Sequence, residues 1–190
     1  MGIFYSKTFL ILFSALLLFI VNRCNPLGSN PSLEDKIKSE INNPSVKVLY
    51  EDPIDRIVVF SAETQKKQSA IIINKYISKN GKLSYSSNKA RAKVIDPEKK
   101  YAFVSFFNRS NTSNHRENIL WGFVLNSPDA DKVKYQLMSS DGEVIQSGVE
   151  AVQENGIIYT TLPDTINLRK VYKLTYHVLD IKGEILFEDS

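Results

Sequence analysis

The chain has 190 residues, 43% hydrophobic and 24% charged, with 24 Lys+Arg against 21 Asp+Glu and two histidines. Its single cysteine, Cys24, excludes an internal disulfide framework. Without residues 1–24 the balance is 22 basic to 21 acidic, a net of +1, too narrow an excess to argue for a nucleic-acid partner.

From Thr8 to Val21 the chain carries no charge for 14 residues. A full helical span takes about 20 residues. Ile3, Phe4 and Tyr5 lengthen the apolar reach, and Lys7 can lift its ammonium to the interface. A removed signal peptide ends in small residues of A-x-A type. Here the run is followed by Asn22-Arg23-Cys24-Asn25-Pro26. Cys24 stands where a bacterial lipoprotein cysteine would, and Val21 would suit the start of a lipobox. Asn22 and Arg23 fill positions which that motif gives to small residues, so lipidation at Cys24 stands only as an alternative. Met1-Gly2 with Ser6 matches the myristoylation pattern formally, as a short degenerate motif does by chance. Residues 1–24 are read as an uncleaved membrane helix, single-pass in the cell membrane, with the C-terminal bulk extracytoplasmic; a removed signal segment is the other alternative. Lys7 and the N-terminal amine favour that orientation, against Arg23.

A Pro/Gly/Ser/Asn linker covers 25–31. "SLEDKIKSEIN" then predicts a helix, with Ser32 as N-cap, Asp35 three residues on, and Glu34 and Asp35 in the first turn. Leu33, Ile37 and Ile41 make a narrow apolar stripe that needs a surface to lie on. Strands supply it. "VKVLY" alternates, "RIVVF" is continuously apolar as in a strand covered on both faces, and "SAIIINKYI" follows a polar turn. Asn80-Gly81 signals a hairpin, and "YAFVSFF" reads as another buried strand. These segments predict a small α+β domain over 32–108.

The polar stretch "NRSNTSNHREN" predicts a linker at 109–117. Beyond it, "ILWGFVL", "KVKYQLM", "EVIQS", "GIIYTTL", "VYKLTYHVL" and "EILFE" recur at short intervals, as in a β-sandwich over 118–190. "SDGEVI" and "IKGEIL" place Gly then Glu at a tight turn before an apolar strand, a repeated hairpin device. The sandwich is expected to be fibronectin- or immunoglobulin-like without cysteines, and to fold by itself. The overall expectation is α+β followed by all-β.

The order of parts resembles small membrane-anchored or exported proteins of Bacillus-like Gram-positive bacteria. The resemblance is carried by the apolar N-terminus, "VKVLYEDPIDRIVVF", "ILWGFVLNSPDADKVKY" and the closing "KLTYHVLDIKGEILFE". It implies a cell-surface location and no defined activity.

No chemistry-bearing motif accompanies these segments. His115 and His177 come from different segments with no ligand spacing around them, so no metal is expected. Phosphate loops and nucleophile elbows are missing. Asp129-Ala130-Asp131 lacks the glycine and distal Glu of a calcium loop. Trp121 reads as core. Asn108 and Asn111 open glycosylation sequons that matter only in a eukaryotic secretory host. No cofactor and no enzyme activity are expected.

Charge distribution is the one strong signal. Residues 25–116 hold 16 basic against 9 acidic residues, net +7, and residues 117–190 hold 6 against 12, net −6. The excess lies in Lys66, Lys67, Lys75, Lys79, Lys82, Lys89, Arg91, Lys93, Lys99 and Lys100, opposed only by Asp96 and Glu98. These ten are the candidate binding residues for an anionic surface, either lipid headgroups or a wall polymer. An envelope protein is a further candidate partner. The alternatives are a solvated, purely structural surface on a secreted or lipid-anchored protein, and an enzyme acting on an anionic envelope substrate.

Overall fold

The computed structural model describes residues 31–80, 82–110 and 116–189. The membrane helix expected at 1–24, Cys24, most of the 25–31 linker and His115 lie outside the described residues. Among the described residues no helix is long and apolar enough to cross a membrane. They form antiparallel sheets with one short helix.

The helix, α1 (Leu33–Glu40), starts where its cap dictates. Ser32 Oγ accepts from Asp35 N at 3.1 Å and the Asp35 carboxylate accepts from Ser32 N at 3.2 Å, closing a capping box. Leu33 and Ile37 are buried. The Glu34 carboxylate accepts from Lys38 Nζ at 2.6 Å and from Val48 N at 2.9 Å, which ties the helix to the first strand.

Five strands form the first sheet: β1 (Lys47–Asp52), β2 (Ile57–Glu63), β3 (Ser69–Lys79), β4 (Lys82–Tyr85) and β5 (Arg91–Val94). β1, β2 and β3 are neighbours in that order, and β3 shares its length between β5 (residues 70–73) and β4 (residues 76–79). The rest of the chain builds two more sheets from β6 (Tyr101–Ser110), β7 (Arg116–Leu125), β8 (Ala130–Met138), β9 (Val144–Ala151), β10 (Ile157–Leu162), β11 (Lys173–Asp180) and β12 (Ile185–Asp189). The second sheet runs β10-β7-β6 and the third β12-β11-β8-β9.

Side-chain alternation stacks these elements in layers. Val58 and Phe60 of β2 pack with Leu33 and Ile37 of α1. Ile57 and Val59 turn the other way, into a cluster with Ile119, Trp121 and Phe123 of β7. Leu120 and Val124 of β7 face a third cluster with Val133, Leu137 and Val178 of the third sheet. The order is helix, first sheet, second sheet, third sheet. Both continuously apolar strands, β2 and β7, are the ones covered on both faces. Trp121 is 2% exposed and packs edge-on to Phe103, with centroids 5.6 Å apart.

Two sequence expectations need correction. "YAFVSFF" does not belong to the first sheet: as β6 it pairs with β7 from Tyr101↔Leu125 to Ser110↔Arg116. The polar run at 109–117 therefore separates two paired neighbours and does not divide two units; its residues 111–115 lie outside the described ones. Polar clusters mark hairpins as readily as linkers, and strand pairing is invisible to composition. The repeated Gly-Glu device holds. Gly142 (φ +83°) and Gly183 (φ +86°) close the β8–β9 and β11–β12 turns, where a left-handed φ favours glycine. Each donates its N–H three residues back, to Ser139 O and Asp180 O.

A chain of residues 117–190 is predicted to lack a cooperative transition in urea, because it loses β6 and the whole first sheet that cover β7. Native-like circular dichroism and a sharp transition for that fragment would show that the third sheet suffices. Gly122→Ala in the intact chain should cost about 3 kcal/mol in the same titration. A Cβ there would stand 2.2 Å from Phe103 O, which is backbone and cannot swing aside.

Candidate functional site: a basic strip along the first sheet

Nine of the ten basic positions follow β3 from end to end. Lys66 and Lys67 occupy the exposed turn between β2 and β3, Lys67 at φ +57°. Ile95 N donates to Ser69 O at 2.9 Å, so the segment carrying Lys99 and Lys100 leaves the sheet at that same end. Asn126 Nδ2 fastens this segment by donating to Pro97 O at 2.7 Å and Lys99 O at 2.9 Å.

Further along, Arg91 and Lys93 of β5 lie opposite Ile73 and Ile71, the residues of β3 that face the second sheet. Alternation puts Lys75 and Lys79 of β3 on the same face, with Lys82 of β4 directly opposite Lys79. Two lysines in direct cross-strand register repel one another. Lys89 sits apart in a single 3-10 turn, Ser87–Lys89. With eleven residues at about 3.3 Å each, β3 spreads the group over roughly 35 Å. The structure thus gives a strip with two ends. It does not give a cluster.

The residues differ in what holds them. Lys93 is half-buried, its Nζ 4.8 Å from the Phe103 centroid and 5.8 Å from that of Tyr101. This is cation–π packing at the rim of the aromatic layer. Lys99 pairs with Asp96 at 3.3 Å, with both side chains largely exposed, so the pair contributes little. Lys66, Lys67, Lys79, Lys82, Lys89, Arg91 and Lys100 are exposed and have no carboxylate within 4 Å among the described residues.

Spaced cations on a flat sheet edge attract an extended or planar array of negative charge by many weak contacts. The cavities of about 530 Å³ beside Pro128 and Gly156 and about 450 Å³ beside Arg169 and Tyr172 include none of the ten. Among the described residues no group of three His, Cys, Asp or Glu could hold a metal. His177 lies on β11, its Nε2 3.8 Å from Glu188 across the strand pair. No family model, curated protein or solved structure matches the chain.

The opposite rim of the same aromatic layer carries the other sign, which the sequence reading missed. Tyr50 of β1 and Tyr159 of β10 stack with centroids 4.9 Å apart. Tyr159 Oη and Thr161 Oγ1 donate to Asp55 Oδ2 at 3.4 and 3.3 Å. Burial, then Asp52 and Asp55, push the Tyr159 hydroxyl far up, and burial and Asp52 raise Tyr50. No spacing rule joins Asp55 to residues more than a hundred positions away, so only the fold reveals this contact.

These tyrosines set an alkaline limit on stability. Burial raises Tyr50, Tyr76, Tyr85, Tyr135, Tyr159 and Tyr176, the last to about 12, from an ordinary value of 10.0. A hydroxyl whose folded pKa is raised holds its stabilisation below pH 10 and loses it as pH rises further, because the unfolded chain ionises first. Tyrosinate absorbance should therefore rise in step with loss of the circular-dichroism signal above pH 10. Full ionisation with the sheets intact would contradict the burial of these hydroxyls.

Proposed function

We propose that this chain is a membrane-tethered, extracytoplasmic, non-catalytic protein that binds an anionic envelope surface through the basic strip of its first sheet. One observation carries the reading: six exposed cations without ion-pair partners among the described residues, spaced along one sheet, with Lys89 as a seventh set apart from them. Each exposed basic residue near an anionic bilayer contributes about 1 kcal/mol, fading over a Debye length of roughly 8–10 Å. Several acting together give useful affinity without a pocket. The resemblance to small membrane-anchored or exported proteins of Bacillus-like bacteria fits this location.

In the same reading, β6 to β12 form a fibronectin- or immunoglobulin-like sandwich, three strands facing four, that presents the first sheet. The division between the two parts then falls at 96–100, where the chain passes from β5 to β6. The sandwich brings the acidic excess of the C-terminal half and keeps that side off an anionic surface.

The test uses residues 31–190, which close their own apolar clusters. Retention on vesicles containing anionic lipid, or on anionic wall polymer, should be clear at low salt and fall steeply toward physiological salt. Replacing Lys66, Lys67, Lys99 and Lys100 by Gln should weaken it without unfolding. Replacing Asp141, Glu143 and Glu150 should not. Equal and negligible retention on anionic and neutral surfaces would leave the lysines as a solubilising surface. In the full chain, Cys24→Ala should leave membrane association intact, with residues 1–24 present in the intact mass; a diacylated N-terminal Cys24 would overturn the uncleaved tether.

A further inference from the structure

The two ends of the basic strip are not equivalent, because the chain enters the fold at only one of them. The segment after α1 is pinned at the far end of β2: Asn43 Nδ2 donates to Glu63 O at 2.7 Å, and Glu63 N donates to Ser45 Oγ at 2.7 Å. Glu63 lies opposite Ser69, where β3 begins. Yet α1 also packs against β4, which pairs with the last residues of β3, seven or more positions further along. A helix of eight residues is only about 12 Å long. Its first turn must therefore be the part that meets β4, so Ser32, where α1 starts, stands toward the β4 end.

That end carries an exposed apolar pair. Ile54, in the turn between β1 and β2, is 89% exposed, and Ile77 of β3 is 54% exposed. Ile57 pairs with Lys75 and Tyr76 N donates to Arg56 O at 2.9 Å. Ile77 therefore extends past β2, level with Asp55 and next to the Ile54 turn. Arg56 lies two residues after Ile54, and Lys79 lies two residues after Ile77 on the same face of β3, with Lys82 opposite Lys79. The neighbouring carboxylates are hydrogen-bonded. Asp52 Oδ1 accepts from Ile54 N and Asp55 N, both at 2.9 Å. Glu51 accepts from Tyr76 Oη at 2.5 Å, and Asp55 takes Tyr159 and Thr161 as above. This end presents two exposed isoleucines beside basic side chains, with three hydrogen-bonded carboxylates near Ile54. Bilayer interfaces receive such a set by burying the apolar tips while the ammonium groups stay at headgroup level.

We infer that the β4 end of the first sheet is a membrane-contact surface that inserts Ile54 and Ile77 into the headgroup region of the bilayer holding residues 1–24. This rests on the tether reading above. It goes further by assigning orientation: β3 stands away from the bilayer, with Lys66, Lys67, Lys99 and Lys100 at its distal end, about 35 Å along the strand. The distal lysines are then free to reach a second anionic layer, and the bilayer is engaged chiefly by the apolar pair.

The full chain carrying Cys24→Ser offers a background free of other cysteines. Single cysteines introduced as Ile54→Cys, Ile77→Cys, Lys66→Cys and Lys100→Cys take an environment-sensitive fluorophore, in chains reconstituted into phosphatidylcholine vesicles with and without phosphatidylglycerol. Probes at 54 and 77 should shift to the blue and be quenched by nitroxide-labelled lipid, while probes at 66 and 100 keep water-like emission. Ile54→Ser with Ile77→Ser, probed at position 79, should abolish the quenching there and leave flotation with the vesicles unchanged. Chains that float while probes at 54 and 77 stay water-like overturn the contact surface and leave the tether standing. Chains that fail to float overturn the tether and this inference together.

Discussion

The structure depends on one strand having to be buried from both sides. β7 carries Ile119, Trp121 and Phe123 on one face and Leu120 and Val124 on the other, and each face belongs to a different apolar cluster. A strand apolar on both faces cannot border water, so a sheet must cover each side. The layered order follows from that demand. The third sheet supplies one cover. The first sheet supplies the other, and β2, itself apolar on both faces, then needs α1 on its outer side. Gly122, pressed against Phe103 O, shows how closely β6 approaches this central strand.

The same stacking explains where charge can sit. The aromatic layer between the first and second sheets has two rims. One is closed by Lys93 over Phe103 and Tyr101, the other by Tyr50 and Tyr159 beneath Asp52 and Asp55. A lysine in cation–π contact and a carboxylate accepting from tyrosine are both ways of ending an apolar layer at water. Lys93 is therefore as much a packing residue as a surface charge. It differs in kind from Lys66 or Lys100, although all three come from one basic run in the sequence.

Local features were legible in the sequence because local physics decides them. Ser32 and Asp35 fix the start of α1, Gly142 and Gly183 fix their turns, and the unbroken apolar runs of β2 and β7 announce double burial. Partner choice was not legible. β6 is equally apolar whether it pairs with β3 or with β7, and nothing in "YAFVSFF" selects one. The boundary was therefore misplaced at the polar stretch after β6, when the chain changes sheets before it, at "DPEKK". The candidate site divides the same way. The basic residues could be counted from the sequence, but their arrangement as a strip with two unlike ends depends on register.

Those two ends give the fold a direction that composition does not show. α1 points its N-terminal end toward β4, and β3 carries the Lys66–Lys67 turn to the opposite end. Charge alone ranks the ends almost alike, since Arg56, Lys75, Lys79 and Lys82 at one match Lys66, Lys67, Lys99 and Lys100 at the other. Apolar exposure ranks them, with Ile54 and Ile77 at the entry end against the half-exposed Val94 at the other. Under the proposed tether, the protein holds its entry end at high effective concentration beside the bilayer, so even a modest apolar contact there is occupied. Its distal end meets whatever lies beyond the headgroups. On the function proposed above, the first sheet would work as a spacer, one end matched to lipid and the other to a separate polyanion, with the sandwich stacked on its flank.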